Sequence, residues 1–107
     1  MTPVTILREA EVELWEAVGF YESKCRGLGL DFEKEIRTIV ELIRQYPNRW
    51  PVREDGTHRC LTHRFPYFVV YIHRENKVWI IAFAHCRRRP GYWSERDKTR
   101  EQGPSPQ

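Results

Sequence analysis

The sequence contains no uninterrupted run of about 18 uncharged apolar residues, the length that would cross a bilayer. Its first residues, MTPVTILREAEVELW, also lack the basic start and the apolar block of a secretion signal. With 107 residues and 40% hydrophobic content, the chain suits one domain around one modest core. We therefore expect a single-domain protein in the cytoplasm, with no membrane partner.

Cysteine is scarce, and Cys25, Cys60 and Cys86 stand far apart. An odd number of cysteines without a secretion signal argues against a disulfide framework, so we expect free, buried thiols. No base is specified beside any of them, so the sequence does not indicate a thiol nucleophile. The C-terminal half also lacks the paired carboxylates that a glycosidase-like site would need.

Metal-ligating residue types are present without a zinc pattern. Five of them fall on or beside predicted strands that could be neighbours: His58, Cys60, His63, His85 and Cys86. Their spacing matches no closed zinc site, and a buried thiol with exposed imidazoles explains the same residues. We expect no metal and no cofactor.

Charge is divided unevenly along the chain, which has no internal repeat. Residues 1–52 carry seven basic and nine acidic side chains, and residues 53–107 carry eleven and six. This asymmetry gives one end of a small protein a positive field that attracts an anionic partner, although a solvated basic face has the same composition.

Two amphipathic helices are predicted in the first half, at residues 8–26 and roughly 31–46. Apolar residues recur at steps of three and four in both: Ala10, Leu14, Ala17, Val18, Tyr21 and Cys25, then Phe32, Ile36, Ile39, Val40, Ile43 and Tyr46. Gly27 and Gly29 can supply the positive φ that ends the first helix, and Asp31 can cap the second. We therefore expect a helical hairpin.

Three strands are predicted in the second half, at residues 59–64, 67–74 and 77–86. Short connections make neighbouring strands antiparallel, and Glu75 with Asn76 stands where a tight hairpin turn is needed. Residues 4–7 can add a short strand before the first helix. The expected fold is α+β, in the order β-α-α-β-β-β.

Both faces of the last two strands are apolar. On alternation alone, Ile80 and Ala82 share one face, while Trp79, Ile81 and Phe83 share the other. One face must meet the helices. The other is covered by the N-terminal segment or kept for a partner, and we expect a binding role.

The stretch HCRRRPGYW, residues 85–93, ends the last predicted strand. Basic residues of this half alternate with aromatic ones that could accept phosphates and stacked bases: Arg59, Arg64, Arg87, Arg88, Arg89 and Arg96. Alternatively, Tyr92 and Trp93 fold back over the sheet while the arginines pair with glutamates of the helices. Composition leaves both readings open.

Five segments together resemble the RelE/ParE superfamily of bacterial toxins, and most closely its ParE-like, plasmid-stabilisation branch. They are EAEVELWEAVGFYE, GLGLDFEKEI, YPNRWP, RFPYFVVY and AHCRRRPGYWSER. The resemblance runs from about residue 4 to residue 96, in order and with matching spacing. It implies a toxin domain at residues 1–96, followed by a flexible tail at 97–107.

The resemblance also implies a partner. Toxins of this superfamily are neutralised by a cognate antitoxin, which lays a disordered segment across the toxin and folds on binding. Val12, Trp15 and Gly19 lie opposite the core stripe of the first helix and are the expected antitoxin contacts. We expect a hetero-oligomer with that antitoxin.

The mechanism differs within the superfamily. RelE-like members cut mRNA in the ribosome, whereas ParE-like members act on DNA gyrase. Arg59 and Arg87 match two basic positions of the RelE-like pattern, but Leu61 and Phe68 replace two others. Trp93 stands where that pattern has a tyrosine, and Tyr92 is one position off.

These differences favour a toxin that arrests growth by binding an essential target, and DNA gyrase is the preferred one. The expected contacts to the target or to nucleic acid are arginines: Arg87, Arg88, Arg89 and Arg96. The alternative is a ribosome-dependent mRNA endonuclease, with catalytic candidates Arg59, Arg64, Arg87, Tyr92 and Trp93. A third reading is a non-toxic member that acts only as an antitoxin-binding or repressor-complex subunit.

Overall fold

The structure is a computed structural model, and it describes residues 2–96. Its elements are β1 (Val4–Ile6), α1 (Arg8–Lys24), α2 (Leu28–Gln45), β2 (His58–Leu61), β3 (Tyr67–Arg74), β4 (Lys77–His85) and a short 3₁₀ helix (Ser94–Arg96). The sheet order is β1-β4-β3-β2, with β1 parallel to β4 and the other pairs antiparallel. The predicted order and α+β class are confirmed, while the predicted tail, 97–107, lies outside the described residues.

The turn between the helices is built around Gly27, whose φ of 86° is the left-handed conformation that glycine adopts without strain. The second helix begins at Leu28, so the predicted start at Asp31 is wrong. The Glu22 carboxylate of α1 accepts hydrogen bonds from the Gly27 and Gly29 backbone N–H groups, at 2.9 and 3.0 Å. The Glu22 side chain of α1 therefore caps the start of α2, where the first backbone N–H groups have no partner within the helix.

The helices pack on one face of the sheet, and the core between them contains most of the predicted stripes. Its fully buried members are Ala10, Ala17, Phe32, Ile36, Ile39, Ile43, Val69, Tyr71, Val78, Ile80 and Phe83. Cys25 and Tyr46, predicted as core, are exposed because each lies just past the end of its helix. Only Cys60 of the three free thiols is buried, so the expectation for Cys25 and Cys86 is wrong.

The strands end close to their predicted limits. Glu75 and Asn76 have φ values of 52° and 62°, as a two-residue type I′ hairpin requires. The first strand of the meander is shorter than predicted, because the chain turns after Leu61 and the Thr62 hydroxyl donates to the Phe65 carbonyl at 2.6 Å. The last strand ends at His85, so the arginines that follow lie in a turn.

A β-bulge at Ile81 breaks the alternation of β4. Val70 pairs with Ala82, but the next residue, Tyr71, pairs with Ile80. The extra residue reverses the faces of the residues that follow it. Ile80 and Phe83 consequently lie in the helix-side core while Ala82 lies on the opposite face, so the predicted grouping of these residues is wrong.

The second face of the sheet is covered by the chain itself. Trp93 is 1% exposed and lies on Val70, Ile72, Ile81, Ala82 and Ala84. Tyr92 and Leu7 pack at the margin of this cluster. The cover therefore comes mainly from the segment after β4, not from the N-terminal segment. No helix among residues 2–96 is long and apolar enough to cross a membrane.

Candidate functional site

One carboxylate, that of Glu13 on α1, holds the C-terminal segment in place. Its side chain is 10% exposed and lies 2.9 Å from an Arg96 guanidinium nitrogen. It also accepts hydrogen bonds from the Tyr92 hydroxyl at 2.7 Å and from the Phe83 backbone N–H at 3.1 Å. Arg88 approaches it at 3.5 Å. The structure thus realises the second reading of HCRRRPGYW, in which the aromatics fold back and arginines pair with a helical glutamate.

This arrangement occupies an open stretch of sheet edge. β1 pairs with β4 only as far as Ile80, so beyond that residue the side of β4 away from β3 has no strand beside it within residues 2–96. There Arg96 donates to the Ile81 carbonyl at 3.2 Å, and Glu13 accepts from Phe83. The two side chains satisfy backbone groups that a further strand would otherwise pair with.

Tyr92 cannot exchange a proton readily in this position. Burial raises the pKa of its hydroxyl well above the ordinary value, and the hydrogen bond to Glu13 raises it further, against the opposing charges of Arg88 and Arg96. The Arg88 guanidinium also lies over the ring, 3.7 Å from its centroid. The phenol is a structural donor to Glu13.

Trp93 is covered by Arg59, whose guanidinium lies 4.9 Å from the indole and 5.7 Å from the Phe68 ring. Arg59 is 4.0 Å from Asp55. Burial raises the pKa of Asp55, but hydrogen bonds from Thr57 and the charge of Arg59 outweigh burial, so its pKa is below the ordinary value. Asp55 is therefore an anion beside Arg59.

Three of the catalytic candidates are neighbours, since the Arg59 guanidinium lies 4.9 Å from the Trp93 ring and the Trp93 and Tyr92 rings are 5.2 Å apart. Arg64 lies elsewhere, against Phe65 of the helix-side core and 3.4 Å from Asp31. Arg87 is exposed, and its backbone N–H donates to His85 Nδ1 at 3.0 Å.

The predicted binding arginines divide into two kinds. Arg88 and Arg96 are engaged by Glu13, while Arg87 and Arg89 are exposed and form no ion pair within residues 2–96. Their role in contacting a target stays a prediction.

A groove of about 630 Å³ runs beside β2. Arg49, Arg53 and Arg59 line it, together with the imidazole of His63. Sequence reasoning missed Arg49 and Arg53, although both lie in the loop NRWPVRED that separates the helices from the strands. The sequence signal that could have revealed them is the presence of two arginines in a loop that leads into the edge strand β2.

Two of the five residues considered as metal ligands, His58 and Cys60, are held in place by the fold. His58 Nδ1 lies 2.7 Å from the Trp50 carbonyl, and its ring stacks on Tyr71 at 4.7 Å. Burial raises the pKa of the Cys60 thiol to about 11. His58 thereby fixes the loop that forms one wall of the groove, and Cys60 is an unreactive neighbour.

The predicted antitoxin contacts lie on the solvent side of α1. Val12 and Trp15 are each 48% exposed, and Gly19 is exposed with nothing close to its Cα hydrogens. Phe20 and Leu30, which sequence reasoning left out, are further exposed apolar side chains of the helices, at 54% and 52%. Antitoxin binding here stays a prediction.

The sequence matches no family model and no curated protein. Among solved structures, a chain of the chromosomal ParDE TA system from P. aeruginosa superposes with a TM-score of 0.68 at 18% sequence identity. The match covers 79% of this chain and 96% of that one. The molecule is thus a helical hairpin on an antiparallel meander with a clasped C-terminal segment, and this is the ParE-like fold. The fold expected from the resemblance is confirmed.

Proposed function

We propose that this protein is the toxin of a type II toxin–antitoxin pair, which arrests growth by binding an essential target and is neutralised by a cognate antitoxin. The shared fold with a chain of the ParDE TA system supports the proposal, as does the sequence resemblance. DNA gyrase is the favoured target, by that resemblance. We assign the toxin domain to residues 1–96, with a flexible tail after it, and we place the protein in the cytoplasm, in a plasmid-stabilisation role.

The burial of Trp93 is the observation that favours binding over RNA cleavage. A nuclease needs a group that moves protons, which typically contributes about 10²- to 10⁴-fold to the rate. Trp93 has no hydroxyl and is 1% exposed, and the Tyr92 hydroxyl is bonded to Glu13. Trp93 is therefore covered, and the hydroxyl of the half-buried Tyr92 already has a carboxylate partner.

Induced expression in a bacterial host tests the function. We expect growth arrest, induction of a DNA-damage reporter, and intact mRNA in the same culture. Co-expression of the neighbouring reading frame, if it encodes the antitoxin, should restore growth. Cleaved message would establish the endonuclease alternative instead, and full growth without antitoxin would establish the non-toxic, repressor-complex alternative.

Purified protein tests the preferred target directly. Added to DNA gyrase, it should inhibit supercoiling or accumulate cleaved plasmid, and it should leave ribosome-bound message uncut. Normal supercoiling at excess protein, together with growth arrest in cells, would retain the toxin assignment and remove gyrase as the target.

The exposed face of α1 gives a test for the antitoxin. Trp15→Ala should weaken the complex by about thirtyfold, because large aromatic anchors contribute about 2 kcal/mol or more at interface centres. Tyr46→Ala is the matched control, since Tyr46 is similarly exposed at the far end of α2. Equal losses for the two variants in a binding titration would contradict the assignment of this face.

A further inference from the structure

β2 is an edge strand of the sheet, and within residues 2–96 no other strand pairs with its outer side. The Thr62 backbone N–H donates to the Tyr67 carbonyl at 3.0 Å. Because N–H and C=O groups alternate in direction along an antiparallel strand, His58 and Cys60 then turn these groups toward β3. Arg59 and Leu61 turn theirs outward. The outward Thr57 carbonyl is already taken by the Arg53 backbone N–H at 2.8 Å.

The groove beside this edge has an apolar floor. Ile39 and Leu42 of α2 contribute to it together with Phe68, and Leu61 is 65% exposed at the margin. The Trp50 ring, which could stack on a base, already has the Arg49 guanidinium 5.6 Å from its centroid. This surface suits protein side chains better than nucleotides.

The rim of the groove is positively charged. Burial lowers the pKa of Arg59, the charge of Arg53 lowers it further, and Asp55 acts in the opposite direction. Arg49 and Arg53 form no ion pair within the described part of the chain. Like charges that repel one another around a cavity are stabilised by an added anion.

We propose that the β2 groove binds an extended acidic segment of a partner protein. The segment adds as a strand to the outward backbone groups of Arg59 and Leu61, places apolar side chains on the floor, and pairs its carboxylates with Arg49 and Arg53. This inference rests on the proposed function, because it supplies the way in which a toxin that acts by binding holds a protein. Main-chain pairing gives such contacts affinity, and alternate side-chain positions give them specificity.

Titration of the ¹⁵N-labelled full chain with short peptides tests the site. The probe is an acetylated peptide of about six alternating valine and glutamate residues, the usual strand length. Its counterpart has lysine in place of glutamate, and a uridine oligonucleotide represents single-stranded RNA. We expect the acidic peptide, at up to about 1 mM, to shift the Arg59 and Leu61 amide resonances.

Three results would overturn the inference. They are no shift at these amides, equal shifts with the lysine peptide, or larger shifts with the oligonucleotide, which would make the groove an RNA site.

Two kinds of variant distinguish the contribution of the groove charges to peptide binding from that of backbone pairing at β2. Arg49→Glu with Arg53→Glu should weaken binding of the acidic peptide by about tenfold or more, whereas Lys24→Glu with Arg26→Glu, on exposed cations outside the groove, should not. Leu61→Pro removes an outward N–H while leaving the ladder to β3 intact, so it should abolish binding in a chain that still folds. Leu61→Thr keeps that N–H and should bind more weakly without complete loss.

The same variants distinguish the two proposals in cells. Peptide binding at β2 without any growth arrest would retain the groove and overturn the toxin assignment. Growth arrest that is undiminished by the Arg49, Arg53 and Leu61 changes, with antitoxin rescue also unchanged, would retain the toxin and overturn the groove as its partner site.

Discussion

Replacement of Glu13 by alanine is expected to loosen the whole C-terminal cover. The change removes the acceptor of the Phe83 N–H and of the Tyr92 hydroxyl, and it leaves the Arg96 guanidinium, whose side chain is 18% exposed, with only the Ile81 carbonyl. Breaking a buried ion pair from one side costs about 3–5 kcal/mol. Because Arg96 lies near the sheet edge and can turn toward water, we expect about 2–4 kcal/mol.

Thermal unfolding followed by circular dichroism measures this loss. At about 4–8 °C for each kcal/mol in a domain of this size, Glu13→Ala should lower Tm by about 8 °C or more. Glu16→Ala is the control, because Glu16 is exposed on the same helix and should change stability by less than about 0.5 kcal/mol. If Glu13→Ala lowered Tm no more than Glu16→Ala does, the idea that Glu13 holds the C-terminal segment in place would be refuted.

A double-mutant cycle locates the interaction. Glu13→Gln and Arg96→Gln, made separately and together, should show a coupling energy of about 1–3 kcal/mol if the two side chains stabilise each other. Additive losses would mean that Glu13 acts only through its bonds to Phe83 and Tyr92.

Three further outcomes are expected. Gly29→Ala should lower the free energy of unfolding by about 1–3 kcal/mol, because a Cβ there would lie 2.5 Å from the Val18 carbonyl oxygen. Gly19→Ala, in open space on α1, should instead raise it by up to about 1 kcal/mol. Equal effects of the two changes in urea titrations would contradict the close packing of the helices. The pKa of Cys60 rises from 9.0 to about 11 on folding, so its contribution to stability is complete below pH 9 and is lost as pH rises toward 11; a chain with Cys60→Ala should lose less stability over that window. Tyr92→Phe should cost about 1 kcal/mol and leave growth arrest intact, whereas loss of toxicity in a folded variant would restore the nuclease alternative.

Local patterns were sufficient for most of the fold. Spacing of apolar residues placed both helices, and the pair Glu75 and Asn76 marked the hairpin, because these features depend on neighbours in sequence. The bulge at Ile81 was not predictable in this way, since it arises from how β3 and β4 pair. The capping of α2 by Glu22 was missed for a similar reason, because Asp31 offered a plausible local cap.

The site residues show the limit of sequence reasoning more sharply. Whether HCRRRPGYW contacts a partner or closes the fold depends on Glu13, which lies 79 residues before Tyr92 in the chain. The residue types alone allowed both interpretations, because they do not show that Glu13 lies beside this segment in the fold. The groove cations Arg49 and Arg53 were missed because their loop has no periodic pattern, and only the fold brings it beside β2.

The side chains that close β4 also limit how copies of the chain can associate. On that side the sheet ends in the three-residue β1 and, beyond it, in the Glu13–Arg96 pair, so an incoming strand finds few groups to join. Two molecules that met through β2 would leave no comparable edge for a third. Self-association by strand pairing would therefore stop at a dimer, and elongation into fibres would require the Glu13–Arg96 pair to separate.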